Sequence, residues 1–353
     1  MYPFKKGSFA LKNAWYVAAF NHEVNRELLS RYIVNELIVL YRKENGDAVA
    51  VAGRCPHRHF PLGASKLVKD NIICGYHGIA FGPDGECTDI PTQDFVPQNC
   101  KIKSYPLVEH GLWLWIWVGD PNLADESLLP TLDEFGFKEG ELGFNDPDME
   151  FQAGPYIEVQ GRYQLLNDNL LDLSHLAYLH GTSIGGIENA TAEEIREERE
   201  GFLSSKRIMT KVDPQPMMTN FSGKIDRVSV MNSYLPGFHA GGEDAFINSE
   251  HPTRAGEQLI KGRVFHAVTP GLHDTTNYFF AAGLPKDEDV GLMIESLKSV
   301  LAEDIFATEE IEKILKNSGE NLPQEVLLKS DAHAVRGRRM LQKMMDSEVK
   351  INN

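Results

Sequence analysis

The chain has 353 residues, of which 42% are hydrophobic and 24% are charged, and its formal net charge is −16 at pH 7. This length predicts two domains, and the composition is that of a globular protein. The negative charge argues against nucleic acid and anionic membranes as partners, because both require clustered lysine and arginine. The sequence shows neither a signal peptide nor a stretch with the roughly 20 apolar residues of a transmembrane helix. We therefore expect a cytoplasmic protein.

Residues 14–118 predict a domain built from short strands. Apolar runs rich in β-branched and aromatic residues, such as ELIVLYR, AVAVAG, NIICGYHGIAF and LWLWIWV, are separated by turn residues. In WLWIW the indoles alternate with Leu and Ile, which predicts a strand covered on both faces. All four cysteines and all four tryptophans lie in the first third of the chain. This shift in composition predicts a boundary, and we assign residues 1–120 to the first domain.

A connector and a second domain are predicted next. The segment 118–148 is rich in Gly, Pro and acidic residues, which is typical of a surface connector. We assign 121–150 to this connector and 151–353 to the second domain.

The second domain is predicted to combine an antiparallel sheet with helices. Strands are expected at 150–164 and in the runs FLSSKRIMTKV, KIDRVSVMNSYL, QLIKGRVFHAVTP and TTNYFFAAGL. The predicted helices cover 167–180, 287–316 and 330–346. The charged run AEEIREERE at 192–200 predicts a solvated helix face. This order of elements indicates an α+β fold.

Two cysteines and two histidines have a spacing that predicts a metal centre. Cys55-Pro-His57 is followed, after sixteen residues, by Cys74-Gly-Tyr-His77. Zinc fingers usually separate a cysteine pair from a histidine pair, whereas each segment here supplies one residue of each type. That arrangement suits a Rieske [2Fe–2S] cluster, in which two cysteines bind one iron and two histidines bind the other. Tetrahedral zinc and coincidental core packing are the alternatives.

Several residues near these segments receive other assignments. His59 is interpreted as a surface residue or an outer partner of a ligand, and Cys87 and Cys100 as small core residues. Four basic residues flank the two segments, and they form either a docking patch for an acidic partner or ordinary solvated surface: Arg54, Arg58, Lys66 and Lys69.

The segment DNLLDLSHLAYLH, residues 168–180, places polar side chains in an apolar stretch, where they need partners. Asp172 and His175 would share a helix face. His175 and His180 are five apart, which separates them by roughly 140° on a straight helix. Their convergence on one ion requires local unwinding, a π-bulge, or a helix end near His180, just before Gly181. Two histidines and a carboxylate bind iron in non-haem oxygenases. A hydrogen-bonded pair of core histidines is the alternative, which the upstream Rieske motif disfavours.

With these motifs the chain resembles the oxygenase component of the Rieske non-haem iron oxygenases, in the group of vanillate O-demethylase, dicamba O-demethylase and toluenesulfonate methyl monooxygenase. The resemblance covers nearly the whole chain. It is carried by NAWYVAAF, CPHRHFPLG, CGYHGIAF, IPTQ, YPLVEHGLWLWIWVGDP, DNLLDLSHLAYLHGTSIG, FHAVTP, NYFF, LAEDIFATEEIE and SDAHAVRGRR. It implies an all-β N-terminal Rieske domain and a C-terminal helix-grip domain with a curved antiparallel sheet flanked by helices.

The resemblance also implies the remaining site residues. Asp304, in LAEDIFATEE, corresponds to the third ligand of a mononuclear Fe(II), and Glu303 would point elsewhere. Asn169 matches an asparagine near that iron, with a helix-surface amide as the alternative. His266, in FHAVTP, matches a histidine that contacts substrate.

Asp172 is similar to the family's bridging aspartate. That residue links an iron-binding histidine, here His175, to a Rieske histidine, here His77, of the neighbouring subunit. Such a carboxylate can orient both imidazoles and couple the two metal sites. The link implies a head-to-tail ring, usually a homotrimer.

The activity implied is that of a monooxygenase in aromatic compound catabolism. Electrons from a separate NAD(P)H-dependent reductase, with or without a ferredoxin, would reach the Rieske cluster and then the mononuclear iron, where O2 is the co-substrate. The chain itself lacks a GxGxxG nucleotide motif. The expected substrate is a small aromatic acid with a methoxy or methyl group, and demethylation would release formaldehyde.

The sequence also leaves alternative functions open. The alternative reactions are hydroxylation of a ring or of an alicyclic compound, and the distant alternatives are a Rieske electron carrier and a zinc-stabilised binding module. Five residues are expected to line an apolar cavity or simply to pack in the core: Met217, Met218, Phe221, Phe238 and Phe280.

Overall fold

The computed structural model describes residues 3–130, 148–319, 322 and 324–351, which divide into two compact units. The N-terminal unit comprises Lys12–Leu129 and Thr269–His273. The C-terminal unit comprises Met1–Leu11, Pro130–Val268 and Asp274–Asn353. Most of the predicted connector, residues 131–147, lies outside the described residues.

The N-terminal unit is built from strands, as predicted. They are β1 (Trp15–Phe20), β2 (Leu29–Ile33), β3 (Glu36–Arg42), β4 (Ala48–Ala52), β5 (Lys66–Val68), β6 (Asn71–Ile73), β7 (Ala80–Phe81), β8 (Cys87–Asp89), β9 (Leu107–His110) and β10 (Trp113–Trp117). Three sheets result, in the orders β1-β10-β9, β2-β3-β4 and β5-β6-β7-β8. The helices among the described residues of this unit are short 3₁₀ turns, at Asn21–Glu23, Leu62–Ala64, Pro121–Leu123 and Glu126–Leu128.

The core of the N-terminal unit surrounds the predicted cluster cysteines. All five residues of β10 are buried, so both faces of this strand are covered, as the alternation of indoles predicted. A second group of buried side chains, which includes Val39, Tyr41, Leu62 and Phe81, packs around Cys55 and Cys74. The two segments that carry the predicted cluster ligands, residues 55–57 and 74–77, are therefore anchored in a β scaffold.

The C-terminal unit contains a seven-stranded antiparallel sheet with helices. Its strands are β11 (Met149–Val159), β12 (Glu194–Arg199), β13 (Phe202–Val212), β14 (Ile225–Tyr234), β15 (Phe238–Ile247), β16 (Gln258–Pro270) and β17 (Thr276–Pro285), in the order β11-β17-β16-β15-β14-β13-β12. The helices are α1 (Tyr163–Leu171), a 3₁₀ helix (Leu173–Ala177), α2 (Glu188–Thr191), α3 (Val290–Ser318) and α4 (Ala332–Ile351). Helix α3 contacts β11 and β17, and α1 contacts both α3 and α4. The α+β prediction is confirmed.

The prediction of a helix face at 192–200 is wrong, because Glu194–Arg199 forms the edge strand β12. Its residues pair with β13 from Glu194 opposite Arg207 to Arg199 opposite Phe202. Gly201, with φ of 72°, allows the tight turn between the two strands. Charged side chains suit an exposed edge strand because they discourage pairing with another chain.

Strand β15 was not predicted, because its sequence FHAGGEDAFI has two glycines and two acids in its centre. The structure explains the glycines by close approach of neighbouring strands. A Cβ on Gly241 would lie 2.6 Å from the carbonyl oxygen of Val230, and one on Gly242 would lie 2.1 Å from that of Gly262. Glycine in a strand often marks such a contact.

The boundary between β11 and α1 also differs from the prediction. Strand β11 ends at Val159 and α1 already begins at Tyr163, so the strand expected over 150–164 is too long.

Among the helices within the described ranges, none has the length and apolarity needed to cross a lipid bilayer.

Candidate functional site

The two segments with the predicted cluster ligands form loops with matching hydrogen bonds. In the first loop the amide of Cys55 donates to the carbonyl of Phe60, and the amide of His59 donates to the carbonyl of Cys55. In the second loop Cys74 and Gly78 make the corresponding two bonds. His59 and Gly78 occupy equivalent turn positions, with φ values of 59° and 75°. His59 is thus an exposed turn residue, in agreement with its assignment to the surface.

In these loops the cysteine thiols are buried in the N-terminal unit and the histidine imidazoles are exposed at its surface. Cys55 and Cys74 are 1% and 3% exposed. His57 and His77 are exposed, and their ring centroids lie 4.5 Å apart. Burial raises the pKa of the Cys55 thiol, so a bound cation would be needed to hold it as a thiolate. An inner thiol pair and an outer imidazole pair fit a two-iron cluster with unlike ligands on its two irons.

The other residues near the loops lie where the sequence suggested. Cys87 and Cys100 pack, partly buried, against the core of the N-terminal unit. The four flanking basic residues are exposed: Arg54, Arg58, Lys66 and Lys69.

In the C-terminal unit, His175, His180 and Asp304 come together. One ligand atom of each lies within 4.8 Å of the others. The Nε2 atoms of His180 and His175 lie 3.0 Å and 3.5 Å from Asp304 Oδ1. Two imidazoles and one carboxylate on one side of an ion are the ligand set of non-haem Fe(II) oxygenases.

The five-residue spacing of the histidines results from a break in the helix. Helix α1 ends at Leu171, and the 3₁₀ helix Leu173–Ala177 follows. Asp172 lies between them, and its Oδ1 accepts a hydrogen bond from the amide of Ser174 at 3.0 Å. Aspartate favours such local bonds over a continued helix. The single helix predicted over 167–180 is therefore wrong, whereas the predicted local unwinding is confirmed.

The outer nitrogen of each histidine is held by an acceptor. Nδ1 of His175 lies 2.6 Å from the main-chain carbonyl oxygen of Asp172, and Nδ1 of His180 lies 2.6 Å from Oε2 of Glu303. A carbonyl and a carboxylate only accept, so each Nδ1 carries the hydrogen and each Nε2 presents a lone pair towards Asp304. This arrangement is how proteins orient metal-binding imidazoles, and it fits a bound ion.

Helix α3 separates the roles of its two neighbouring acids. Asp304 lies on the same face as Leu297, Val300 and Leu301 and is 5% exposed. The Glu303 side chain is 36% exposed and reaches His180 from outside. The apolar stripe at helical spacing was a usable sequence signal for this choice.

Asn169 binds the same carboxylate. Its Nδ2 donates to Asp304 Oδ1 at 2.9 Å, and its Oδ1 is buried, so it is not a helix-surface amide. Burial alone would raise the pKa of Asp304, but His175 and His180 beside it hold that pKa well below its ordinary value. The carboxylate is therefore ionised and available to a cation.

A largely apolar cavity of about 240 Å³ adjoins these three residues. Helices α1 and α3 contribute leucines to its wall, strand β16 contributes alternate residues from Ile260 to His266, and β14, β15 and β17 contribute the rest of the strand side. Of the five residues predicted from the sequence, Phe280 lines the cavity. Met218 and Phe221 instead pack against a separate core cluster, and Phe238 packs against Phe265. The sequence did not reveal the leucine contribution, because those leucines resemble ordinary helix core.

Gly262, on β16, faces this cavity and leaves space in it. A Cβ at this position would lie 3.5 Å from Cε of Met293 and 3.7 Å from Cγ2 of Ile260, which are ordinary van der Waals distances. The backbone of β16 thus approaches the cavity where a side chain would otherwise stand.

His266 also lines the cavity, and its tautomer is determined by Tyr278. Nδ1 of His266 lies 2.6 Å from the Tyr278 hydroxyl, which has no other hydrogen-bond partner among the described residues. The hydroxyl stays protonated, because burial raises the pKa of Tyr278 well above its ordinary value. The hydroxyl therefore donates to Nδ1, and His266 presents Nε2–H as a donor. The predicted contact with substrate stays a prediction.

Comparison with known proteins agrees with this geometry. Residues 14–106 match the Rieske [2Fe-2S] domain, and residues 159–347 match the vanillate O-demethylase oxygenase C-terminal domain. The match over the catalytic region places the chain with oxygenase components rather than with Rieske electron carriers or zinc-binding modules.

Full-length relatives give the same result. The toluene-4-sulfonate monooxygenase iron–sulfur subunit of Comamonas testosteroni is 31% identical, over 96% of this chain and 98% of its own. The dicamba O-demethylase oxygenase component of Stenotrophomonas maltophilia is 30% identical over the same shares. The vanillate O-demethylase oxygenase subunit of Pseudomonas sp. (strain HR199 / DSM 7063) is 29% identical, over 96% and 95%.

A solved structure extends the likeness to the fold. Dicamba monooxygenase bound to dicamba superposes with a TM-score of 0.84 at 28% identity, covering 97% of this chain and all of the other. The chain therefore belongs to the Rieske non-haem iron oxygenases, as an oxygenase component whose cofactors are a Rieske [2Fe–2S] cluster and a mononuclear iron.

Proposed function

We propose that this chain is the oxygenase component of a monooxygenase that oxidises a methoxy or methyl group of a small aromatic compound, by O-demethylation or methyl hydroxylation. The observation that carries this proposal is the His175, His180 and Asp304 set beside a largely apolar cavity. Such a wall suits an aromatic ring, and few polar groups remain to orient it. Two relatives, dicamba and vanillate O-demethylase, have this reaction in their names. These names favour O-demethylation over ring hydroxylation.

The residues that would hold the cofactors follow from the two sites. Cys55, His57, Cys74 and His77 would bind the Rieske cluster, and His175, His180 and Asp304 would bind the iron. When bound, the cluster supplies electrons and the iron activates O2. Glu303 and the Asp172 carbonyl keep both imidazoles in one orientation, Asn169 holds the Asp304 carboxylate, and the leucines around them exclude water.

We also propose a separate NAD(P)H-dependent reductase as electron donor, with or without a ferredoxin. The relatives are components or subunits of multicomponent systems, which supports this partner. The exposed basic residues around the cluster loops offer a docking surface for an acidic protein: Arg54, Arg58, Lys66 and Lys69.

The assembly that we propose is a homotrimer in which Asp172 connects His175 to the partner subunit's His77. The main-chain carbonyl of Asp172 already binds His175. Its carboxylate uses Oδ1 for the amide of Ser174, and Oδ2 has no hydrogen-bond partner among the described residues. That oxygen can accept from a further imidazole.

We also propose the limits of the domains and the location of the protein in the cell. The limits 1–120, 121–150 and 151–353 have support from the family matches at 14–106 and 159–347. A cytoplasmic location is proposed from the sequence, and cell fractionation would test it.

The experiment for the reaction uses the iron-loaded chain with a matching reductase, NADH and a set of aromatic methyl ethers. We expect formaldehyde release that depends on both O2 and the reductase. A ring-hydroxylated product that keeps its methyl group, formed without formaldehyde, would contradict the proposal. Iron content serves as a control, since the proposed ligands account for three irons per chain.

A further inference from the structure

Arg227 and Glu243 form an ion pair in the cavity wall. Nε and Nη2 of Arg227 donate to the two carboxylate oxygens of Glu243 at 2.8 Å and 2.6 Å. The Arg227 side chain is 1% exposed and that of Glu243 is 15% exposed. Because both carboxylate oxygens receive the parallel N–H groups, the pair neutralises its own charges.

The other described residues of the wall provide no unpaired cationic side chain either. Among the described residues that line the cavity, the ionisable groups outside the proposed iron ligands are Arg227, Glu243 and His266. Burial lowers the pKa of His266 to about 4, so its imidazole is neutral at pH 7. Burial raises the pKa of Glu243, and Arg227 opposes this by donating to both carboxylate oxygens; the ionised pair carries no net charge. Outside the proposed iron site, whose ion carries its own positive charge, a carboxylate or sulfonate would thus leave water without a cationic side chain to pair with, which is unfavourable.

From this balance we infer that the substrate enters the cavity uncharged, as a neutral aromatic ether or alkylated arene. The inference rests on the proposed function, because it names the substrate class of the same site. It differs from the small aromatic acid that the resemblance implies, since the arginine that lines the cavity is paired with a glutamate.

Neutral polar groups of a substrate do find partners in the wall. His266 presents Nε2–H as a donor. Ser229 is buried in the wall, and its hydroxyl has no hydrogen-bond partner among the described residues. A phenol, an ether or an amide can bond to such groups without bringing a charge into the cavity.

The position of Glu243 provides a matched control one residue away. Glu243 lies on β15 between Ser229 of β14 and Gly262 of β16, and all three line the cavity. The next residue, Asp244, forms a second buried pair, with Arg263 at 2.8 Å, but neither of these two lines the cavity. Replacing either acid by its amide is therefore the same chemical change on opposite faces of one strand.

The first experiment compares two probes on the iron-loaded protein by isothermal titration calorimetry at pH 7. Vanillate carries a carboxylate, and vanillamide carries a neutral amide of similar size in its place. We expect vanillamide to bind at least ~10-fold more tightly, because only vanillate brings a charge for which the wall holds no unpaired cationic side chain. Equal affinities, tighter binding of vanillate or no binding of vanillamide would overturn the inference.

The second experiment reverses the preference. In Glu243→Gln, Arg227 loses its anionic partner, so the affinity for vanillate should rise by about 10-fold while that for vanillamide changes little. Asp244→Asn should leave the ratio of the two affinities as in the parent. An unchanged vanillate affinity in a folded Glu243→Gln protein would refute the role of the pair. If that variant fails to fold, the comparison of the two probes on the parent still decides.

Formaldehyde release from both probes separates this inference from the proposed function. If vanillamide binds more tightly but neither probe nor any other aromatic methyl ether releases formaldehyde, the proposed reaction fails and the charge preference stands. If vanillate binds more tightly and releases formaldehyde, the reaction stands and the inferred charge preference fails.

Discussion

At the scale of single residues, each of the two proposed iron-binding histidines is oriented by one outer acceptor: the Asp172 carbonyl for His175 and the Glu303 carboxylate for His180. The spacing of His175 and His180, and the likeness of LAEDIFATEE to the family, were sufficient to bring both histidines to Asp304. The role of Glu303 could not be predicted, because it depends on the rotation of α3 against the 3₁₀ segment. The bond from His175 to a main-chain carbonyl has no side-chain signature at all.

Glu303→Gln tests the outer hydrogen bond at this scale. Glutamine can still accept from His180 Nδ1, but it lacks the negative charge that strengthens this bond and raises the basicity of the ring. We expect affinity for the mononuclear iron to fall by about 10-fold, at the weak end of such effects, because the acceptor remains. Iron titration of the metal-free protein measures it.

The visible absorption of the Rieske cluster should not change in this variant, because Glu303 belongs to the C-terminal unit. Glu310→Gln, on the same helix but paired with Lys313 at the surface, is the control and should bind iron as the parent does. Equal iron affinity in Glu303→Gln and the parent would show that this carboxylate does not support the ligand.

A second residue-scale prediction concerns acid stability and His239. This buried histidine lies between Ser233 Oγ and Asn167 Oδ1, at 2.8 Å and 2.9 Å. Burial, with a smaller contribution from His266, lowers the pKa of His239 to about 3. The neutral form therefore stabilises the fold above pH 6.5, and this contribution decreases as the pH falls from 6.5 towards 3 because the unfolded chain binds the proton first.

The expected result is a fall in the free energy of unfolding by at most ~1.4 kcal/mol per pH unit from this one group. His239→Gln keeps a donor and an acceptor but does not titrate, so its stability should fall less steeply between pH 6.5 and pH 4. Urea unfolding at several pH values measures both slopes. Parallel curves for parent and variant would contradict the assignment.

At the scale of elements, long apolar runs were predicted well and charged or glycine-rich segments were not. The limits expected for β13 and β16 agree with the structure to the residue. Strand β12 was mistaken for a helix because its charged residues are those of an exposed edge strand. Strand β15 was missed because its glycines are needed where neighbouring strands approach closely. Both depend on which strands are neighbours in the sheet, and local sequence does not contain that information.

The attachment of α1 to α3 gives an element-scale prediction. Arg162, just before α1, donates through Nε and Nη2 to Glu312 of α3 at 2.6 Å and 2.7 Å, and both side chains are buried. Glu312→Gln leaves the arginine charge without its counterion, so we expect the free energy of unfolding to fall by about 3 kcal/mol. Chemical denaturation measures this loss.

Because the pair joins the helices that carry Asn169 and Asp304, iron retention should decrease together with stability. Glu310→Gln, two residues away on the exposed side of α3, is the matched control and should leave the unfolding midpoint unchanged. A stable Glu312→Gln protein would show that the pair contributes no net stability.

At the scale of the whole molecule, the proposed electron route requires two copies of the chain. The proposed Rieske ligands belong to one compact unit and the proposed iron ligands to the other. The resemblance implies that a cluster serves the iron of a neighbouring subunit. A head-to-tail interface of this kind closes into a ring of identical contacts.

Mixed assemblies test this proposal. A His77→Ala chain lacks a proposed Rieske ligand and a His175→Ala chain lacks a proposed iron ligand, so each alone should be inactive. When both are produced together in equal amounts, about a quarter of the parental turnover should return, because half of the intact iron sites would lie beside an intact cluster in a head-to-tail ring. Light scattering should show a mass three times that of the 39.6-kDa chain. No recovery of turnover in the mixed assemblies would mean that each chain serves only itself.

The gap left by Gly262 gives the enzyme a way to change which ring substituents it accepts. Because a methyl group there would meet Met293 and Ile260 at ordinary contact distances, an alanine would make the chamber shallower without displacing the strand. Substitution of this one residue could therefore change substrate selectivity in small steps of side-chain size, while the proposed ligands of the Rieske cluster and of the mononuclear iron stay unchanged.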